Sequence, residues 1–461
     1  MLKDKSSPSQ KEITMAVKRR KFLTGLMGTA AGIAACSGQN NETTNTSGGR
    51  AAEHLIPDNK FPVFSHEEYS DRLKRARQEM MKRGIDLLYV TQPSNMCYMH
   101  GYAATWYRAA STSEWPPIGG TAIHVDHEKM IHFDYADELG LLDVTSVVED
   151  KRFFPEDRNN RKNGPIQFLV DELSTEGWLK GSRIGMEFWS FVPSRAVSER
   201  IEAVFREAGA KDVFDGSFVI RHIRRIKSPQ EISYIEQGVQ LADLGIRTAE
   251  EFARPGVMEC EVYGEAIRAM YAAGGEVQGI PQGFNVRGLS HGYSGRNRIK
   301  PGDVGWLDLC GVVNRYHGNL CRSMYFREPD KTTMDAFAAS AEVFDIVKDV
   351  ARAGTDVKTL SIALQEHFKP ITSRINFYFI GGYELGIAFP PDWIGEWVFD
   401  AIGGEAPGVF EAGMVTNFES IFYFEDEQGF TRDTSNINTV VFGENETRIL
   451  GPYSAEPTII T

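Results

Sequence analysis

The chain has 461 residues, of which 42% are hydrophobic and 25% are charged. That is enough for a well-buried core and more than one domain usually holds, so we expect two domains. The formal net charge is −13, and no Lys/Arg-rich block occurs outside the extreme N-terminus, which argues against nucleic acid as a partner.

The N-terminus has the pattern of an export signal. Residues 18–23 read Lys-Arg-Arg-Lys-Phe-Leu and precede a short, weakly apolar run that ends in Ile-Ala-Ala before Cys36. Twin arginines fit the twin-arginine export route, and small residues before a cysteine fit lipid attachment at Cys36. We therefore expect a signal at 1–36, a flexible linker at 37–60 and a periplasmic protein or a membrane-anchored lipoprotein. The alternative is a basic cap on an ordinary buried helix.

The first folded region alternates helices with strands. A charge-rich helix is predicted over residues 67–83, with Gly84 as its C-cap, and a buried strand follows at 85–90. Further strands are predicted at 121–125, 130–133 and 183–187, and further helices at 165–176 and 193–208. This alternation predicts an α/β domain over residues 61–215.

A second region, residues 216–461, begins with helices. Ser228 followed by Pro229 predicts a helix start with a capping serine, and this amphipathic helix runs to about residue 253. Another helix fits 260–274 and a helix pair fits 333–369, among short strands and Gly/Pro turns.

Two short segments carry signatures of one enzyme family. Residues 95–102 read Asn-Met-Cys-Tyr-Met-His-Gly-Tyr, and residues 224–232 read Arg-Arg-Ile-Lys-Ser-Pro-Gln-Glu-Ile. The first resembles the N-terminal strand-turn signature of the creatinase/prolidase/aminopeptidase P family, and the second resembles the entry into its catalytic half. This resemblance, from about residue 61 to 450, implies an N-terminal creatinase-like α/β domain and a C-terminal catalytic domain with the α+β pita-bread fold.

The resemblance also locates the positions at which the family's metal enzymes bind two metal ions. Asp308 and Glu419 match the first and fourth of five ligand positions, but the second is Asn319, the loop at 380–386 has no His, and no Glu stands near 437–440. An Asn and apolar groups cannot offset the charge of two metal ions, so we expect no metal and no other cofactor. The pattern resembles the family's metal-free, creatinase-like members.

Three side chains are predicted to carry catalysis. His291 lies ten residues before the Pro-Gly-Asp turn at 301–303, as a catalytic-domain histidine does in the family, and an imidazole can protonate a leaving nitrogen and accept a proton from water. Glu419 and Asp308 lie on apolar strands, where a carboxylate can orient water or hold a cationic group. The alternatives are a buried structural histidine, a surface glutamate and an aspartate that caps a local turn.

Other residues are predicted to bind substrate. Five occupy positions where the family places pocket residues: Tyr293, His317, Cys321, Tyr383 and Glu384. Cys321 has no sign of a partner histidine, and the spacing of Cys97, Cys260, Cys310 and Cys321 fits no zinc or redox motif. All four are interpreted as buried thiols, and the alternative is disulfide formation in an oxidising compartment.

In creatinase, a loop of the partner's N-terminal domain closes the active site. Trp106 and Arg108 fall in the corresponding loop of this chain. A guanidinium matches a carboxylate in a bidentate pair, so Arg108 is a predicted carboxylate clamp and the chain a predicted homodimer. The alternative for Arg108 is an ordinary exposed arginine.

These residues predict a metal-independent hydrolase, or a lyase, that acts on a small polar and carboxylated C–N compound with His291 as general acid/base. The alternatives are a lyase of the dimethylsulfoniopropionate type, a metal-dependent Xaa-Pro peptidase, and a non-catalytic small-molecule binding protein.

Overall fold

The computed structural model describes residues 55–58, 60–105, 107, 118–156, 160, 163–280, 282–286, 292–402 and 408–461. The predicted export signal, with Cys36, lies outside the described residues. Within them, no helix is both long and apolar enough to cross a membrane.

The N-terminal domain is a six-stranded mixed sheet with helices on both faces. Its strands lie in the order β4-β3-β2-β1-β5-β6, and β1 pairs antiparallel with β2 but parallel with β5. Its elements are α1 (His66–Arg83), β1 (Leu87–Val90), α2 (Pro93–His100), β2 (Gly120–His124), β3 (Met130–Asp134), α3 (Leu139–Thr145), β4 (Asp150–Phe153), α4 (Gly164–Thr175), β5 (Arg183–Met186), α5 (Arg195–Glu207), β6 (Asp212–Asp215) and α6 (Phe218–Arg224).

The C-terminal domain is built on a long curved sheet that helices cover. The described strands of its main path lie in the order β11-β10-β12-β14-β9-β8-β7. Its elements are α7 (Pro229–Phe252), α8 (Glu259–Ala272), β7 (Phe284–Asn285), β8 (Val304–Val313), β9 (Tyr316–Tyr325), α9 (Lys331–Ala341), α10 (Val343–Val350), α11 (Val357–Phe368), β10 (Ile375–Tyr383), β11 (Val398–Asp400), β12 (Val415–Glu425), β13 (Thr431–Asp433), β14 (Asn436–Phe442), β15 (Thr447–Ile449) and β16 (Thr458–Ile459). The two-domain α/β architecture expected from the sequence is confirmed.

Helix α7 begins as its sequence predicts. The Ser228 hydroxyl accepts a hydrogen bond from the Glu231 N–H at 3.3 Å, and the Glu231 carboxylate accepts one from the Ser228 N–H at 2.9 Å. This reciprocal capping satisfies backbone donors that the first helical turn leaves without partners. The predicted helix start at Ser228 is therefore confirmed.

The segment predicted as a strand and turn at 95–102 is instead helical. Pro93 stands in the first turn of α2, which ends at Gly101 with a left-handed φ of 89°. Proline favours a first helical turn, and glycine suits the left-handed residue that terminates a helix. The strand-turn interpretation was wrong because Pro93 begins a helix and Gly101 ends it.

The predicted linker at 37–60 also extends too far. Ile56 is 8% exposed and packs with Leu241, Ala273 and Val313. Its N–H donates to the carbonyl of Ala273 at 3.2 Å. The packed chain therefore begins before Phe61, the position expected from the change in composition.

The two signature segments meet at the junction of the domains. Arg224 is buried, and its guanidinium donates to Asn95 Oδ1 and to the Ile387 carbonyl, both at 2.5 Å. Arg221 pairs with Asp392 at 2.9 Å. The N-terminal domain thus holds the segment around residues 384–396, which forms part of the cavity described below.

Helix α7 lies against β8 and β9 at a distance that only glycine permits. A Cβ atom on Gly238 would lie 2.7 Å from the Gly311 carbonyl oxygen and 2.9 Å from the Gly318 nitrogen. Both neighbours are backbone atoms, so the contact cannot relax by a side-chain rotation.

Replacing Gly238 with alanine is expected to lower the free energy of unfolding by about 1–3 kcal/mol, the usual cost of an overpacked core. Urea unfolding of the purified protein measures it. Gly264→Ala is the matched control, because Gly264 is also helical but a Cβ there meets nothing within 4 Å. Equal or greater stability of Gly238→Ala would show that the close packing of α7 is not required.

Candidate active site

A cavity of about 700 Å³ opens in the C-terminal domain. Its described lining comes from five strands, β8, β10, β11, β12 and β14, and from the loops beside them. The lining residues are Ile280, Gln282, Gly283, Gly292, Tyr293, Trp306, Asp308, Tyr378, Phe379, Tyr383, Trp393, Ile394, Val398, Glu419, Ile421 and Ile437.

The strand register brings the two predicted carboxylates to the same cavity. Trp306 and Asp308 are two residues apart on β8, and Glu419 and Ile421 are two apart on β12, so each pair shares one face of the sheet. Glu419 pairs with Ile437 of β14, and both Ile437 and Asp308 pair with Cys321 of β9. Asp308 and Glu419 thus approach from opposite ends of one row of paired residues.

Asp308 is buried among amide groups. Asn319 Nδ2 donates to Asp308 Oδ1 at 2.7 Å, and Gln282 Nε2 donates to Oδ2 at 2.6 Å. Cys310 donates its thiol proton to Gln282 Oε1 at 3.1 Å, which turns the Gln282 amide nitrogen towards Asp308. Burial raises the pKa of Asp308 well above its ordinary value, the Asn319 hydrogen bond opposes this rise, and the charge of Glu419 adds to it.

Glu419 lies on the cavity wall, where it is partly exposed. Asn417 Nδ2 donates to Glu419 Oε1 at 2.8 Å, and the Tyr383 side chain is a second hydrogen-bond partner. The Asn417 amide is oriented in turn by the Tyr383 N–H, which donates to Asn417 Oδ1 at 2.9 Å. Burial raises the pKa of Glu419, and the two hydrogen bonds limit the rise.

The side chains at the five ligand positions do not fit a pair of metal ions. Asn319 and Gln282 turn amide N–H groups towards Asp308, and an N–H group is a donor that cannot ligate a metal. Ile437, which pairs with Glu419, presents an aliphatic side chain to the cavity. Among the described residues, no three His, Cys, Asp or Glu side chains form a group that could hold a metal ion.

Tyr383 and Tyr293 line the cavity, as the family positions predict, but three other predicted pocket residues do not. Cys321 is fully buried, packed with Trp306, Ile421 and Ile437, which cover it. Burial raises the pKa of its thiol well above the ordinary value, which is unfavourable for a nucleophile.

His317 and Glu384 make structural contacts instead of facing the cavity. The Gly279 N–H donates to His317 Nε2 at 2.8 Å, and His317 Nδ1 lies 2.9 Å from the Arg315 carbonyl. Burial lowers the pKa of His317 to about 3, so the ring stays neutral. Glu384 is buried and pairs with Lys227 Nζ at 2.5 Å. The predicted contact of these residues with substrate is therefore replaced by roles in the fold.

His291, Trp106 and Arg108 lie outside the described residues. Gly292 and Tyr293, the two residues that follow His291, line the cavity. Ser294 then accepts a hydrogen bond from the Phe284 N–H at 2.8 Å, which ties this loop to β7.

Sequence reasoning missed several lining residues. Trp306 could have been found, because it stands two residues before Asp308 on one strand and so shares its face. Tyr378 and Phe379 are neighbours, yet both line the cavity, because the pairing of β10 with β12 shifts register between residues 377 and 379. Gln282 is separated from Asp308 by 26 residues and gave no signal in the sequence.

Comparison with known proteins agrees with this architecture. Residues 72–226 match the creatinase/prolidase N-terminal domain, and residues 233–446 match metallopeptidase family M24. The chain is 26% identical to the ectoine hydrolase of Halomonas elongata over 79% of this chain and 91% of that protein. It is 22% identical to the creatinase of a Bacillus species over 87% and 94% of the two chains. A dipeptidase structure from Pyrococcus horikoshii superposes with a TM-score of 0.68 at 16% identity, over 84% of this chain and 100% of that one.

Proposed function

Since the chain belongs to the creatinase and M24 peptidase family, a family of hydrolases, we propose that it hydrolyses a carbon–nitrogen bond without a metal ion. The observation that carries this proposal is the environment of Asp308. Asn319, which stands at the second ligand position, and Gln282 direct amide hydrogens at its oxygens, where the metal enzymes of the family have a second carboxylate. This cavity is arranged to hold an organic molecule and water.

The residues divide the work of hydrolysis as follows. Glu419, held by Asn417 and Tyr383, accepts a hydrogen bond from the substrate nitrogen group or from water. His291 takes a proton from the attacking water, whose oxygen bonds to carbon, and returns that proton to the nitrogen as the C–N bond breaks. Asp308 is the second acceptor for a substrate N–H. The place of His291 in the sequence supports this role, because the next two residues line the cavity.

The relatives support a C–N bond as the reacting group. Both the ectoine hydrolase and the creatinase are similar to this chain over most of its length. Identity of 22–26% does not carry a substrate across, so the proposal extends to the class of bond and not to either compound.

The purified protein is expected to contain no stoichiometric Mn, Fe, Co or Zn. Asp308 and Glu419 are the two family ligands that remain of five, and two carboxylates are too few ligands for a pair of such ions. Elemental analysis checks this expectation. About two such ions per chain, retained through gel filtration, would contradict it.

Turnover of a small panel in the presence of EDTA tests the proposed function. The panel contains ectoine, creatine, N-acetylated amino acids, Xaa-Pro dipeptides and dimethylsulfoniopropionate. Release of an amine with EDTA present supports metal-independent hydrolysis. Activity on Xaa-Pro dipeptides that EDTA abolishes would identify a metal-dependent peptidase, and elimination from dimethylsulfoniopropionate would identify a lyase.

A further inference from the structure

The wall of the cavity is far more apolar than a small polar substrate requires. Six aromatic side chains line it: Tyr293, Trp306, Tyr378, Phe379, Tyr383 and Trp393. Five aliphatic side chains complete it: Ile280, Ile394, Val398, Ile421 and Ile437. At about 700 Å³ the cavity falls within the range of roughly 300–1,000 Å³ that is usual for drug-sized ligands. It has room for an apolar body as well as a reacting group.

The carboxyl groups on the wall have no basic counterpart among the described lining residues. Asp308 and Glu419 are acidic, and no Lys, Arg or His occurs among the described residues that line the cavity. The hydrogen-bond partners of both carboxyl groups are amides and a tyrosine, and neither carboxyl group forms an ion pair with a described residue. A ligand that brings a positive charge would supply the missing partner.

The aromatic rings of the wall also favour a positively charged ligand. The face of an aromatic ring carries partial negative charge and attracts a cation within about 6 Å, most strongly when water is excluded. A carboxylate ligand would meet two acidic groups and, among the described lining, no cation. The residue expected to clamp a carboxylate, Arg108, lies outside the described residues.

We propose that this cavity binds an organic cation with an aromatic or aliphatic body, placing its charged nitrogen group against Asp308 and Glu419 and its body against the aromatic wall. The proposal rests on the proposed function only in taking the same cavity as the substrate site. It replaces the small carboxylated compound expected from the sequence with an apolar amine or amidine.

Calorimetric titration of the full chain with four probes tests the proposal. Benzamidine and benzamide have the same shape but differ in charge, benzoate carries the opposite charge, and creatine is small and zwitterionic. Benzamidine is expected to bind at least roughly tenfold more tightly than benzamide, a factor that a cation–aromatic contact and a carboxylate contact supply together. Benzoate and creatine are expected to bind more weakly than both.

Variants test separately the carboxyl groups that hold the charge and the aromatic rings that hold the apolar body. Asp308→Asn and Glu419→Gln keep the shape of the side chains and should reduce the preference for benzamidine over benzamide. Tyr293→Ala and Tyr378→Ala remove exposed rings at 79% and 46% exposure, so the fold should survive while both ligands bind more weakly. Trp189→Ala is the control, because Trp189 is 69% exposed and stands in the N-terminal domain.

Binding and turnover together distinguish failure of the cation site from failure of the hydrolase. If benzamidine is preferred but no panel compound is turned over, the cation site stands and the hydrolase fails. If a panel compound is hydrolysed while benzamidine and benzamide bind equally, the hydrolase stands and the cation site is overturned. Tighter binding of benzoate or creatine than of benzamidine also overturns it, as does a preference that persists in both Asp308→Asn and Glu419→Gln.

Discussion

Replacing His291 with alanine is expected to lower kcat by about 10²- to 10⁴-fold, the usual contribution of a general acid/base, for any panel compound that the wild type hydrolyses. The fold should survive, because the role proposed for His291 is proton transfer and not packing. Substrate binding should also survive, because the imidazole acts on protons that move only as the bond breaks. Steady-state kinetics with a thermal unfolding curve measures both effects.

Glu419→Gln provides the contrast. A carboxylate that holds the substrate acts in the ground state and the transition state alike, so its loss should weaken binding and turnover together. Wild-type kcat in His291→Ala would show that a group other than His291 carries the proton transfer. An unfolded His291→Ala variant would show instead that the histidine is structural.

Replacing Lys227 with methionine is expected to lower the free energy of unfolding by about 3–5 kcal/mol, the usual effect of removing one member of a buried ion pair. Lys227 and Glu384 are 1% and 4% exposed, and their charged atoms lie 2.5 Å apart. Burial opposes ionisation of Glu384, but Lys227 and the nearby Arg224 hold its pKa below the ordinary value. Without Lys227, a buried carboxylate loses its principal counter-charge.

Urea unfolding measures this loss of stability, and two further variants show whether the broken ion pair causes it. Adding Glu384→Gln to Lys227→Met removes the unpaired charge and should recover part of the stability. Lys331→Met is the matched control: Lys331 pairs with Asp335 at 2.7 Å, but both side chains are more than half exposed, and such pairs contribute about 0–1 kcal/mol. If Lys227→Met were no more destabilising than Lys331→Met, the pair would not hold the segment after β10.

The pair matters to the cavity through the chain that it fixes. Glu384 Oε2 accepts a hydrogen bond from the Glu396 N–H at 2.8 Å. Trp393 and Ile394, which line the cavity, lie between these two residues. Partial unfolding of this segment would therefore weaken benzamidine binding before the global transition, whereas Lys331→Met should leave binding unchanged.

The sequence by itself determined the architecture and the chemistry of the ligand positions. A capping serine, a proline and an amphipathic repeat are local signals, so the start of α7 could be predicted from a few residues. Asp308 and Glu419 were found because they match two ligand positions of the family that the chain resembles, and each lies within an apolar strand. The absence of His and Glu at other ligand positions of the family can be read from the sequence alone. The export signal, the Arg108 clamp and the homodimer stay predictions.

Only the tertiary structure decided which of the predicted residues face the cavity. Tyr383 and Glu384 are neighbours at the end of β10, and consecutive residues of an extended chain point to opposite sides, so one lines the cavity while the other pairs with Lys227. Gln282 reaches Asp308 across 26 residues, and such a contact depends on how a loop folds back over the sheet. Local patterns fix the elements because their forces act between near neighbours, whereas the site is formed by side chains that only the packing of those elements brings together.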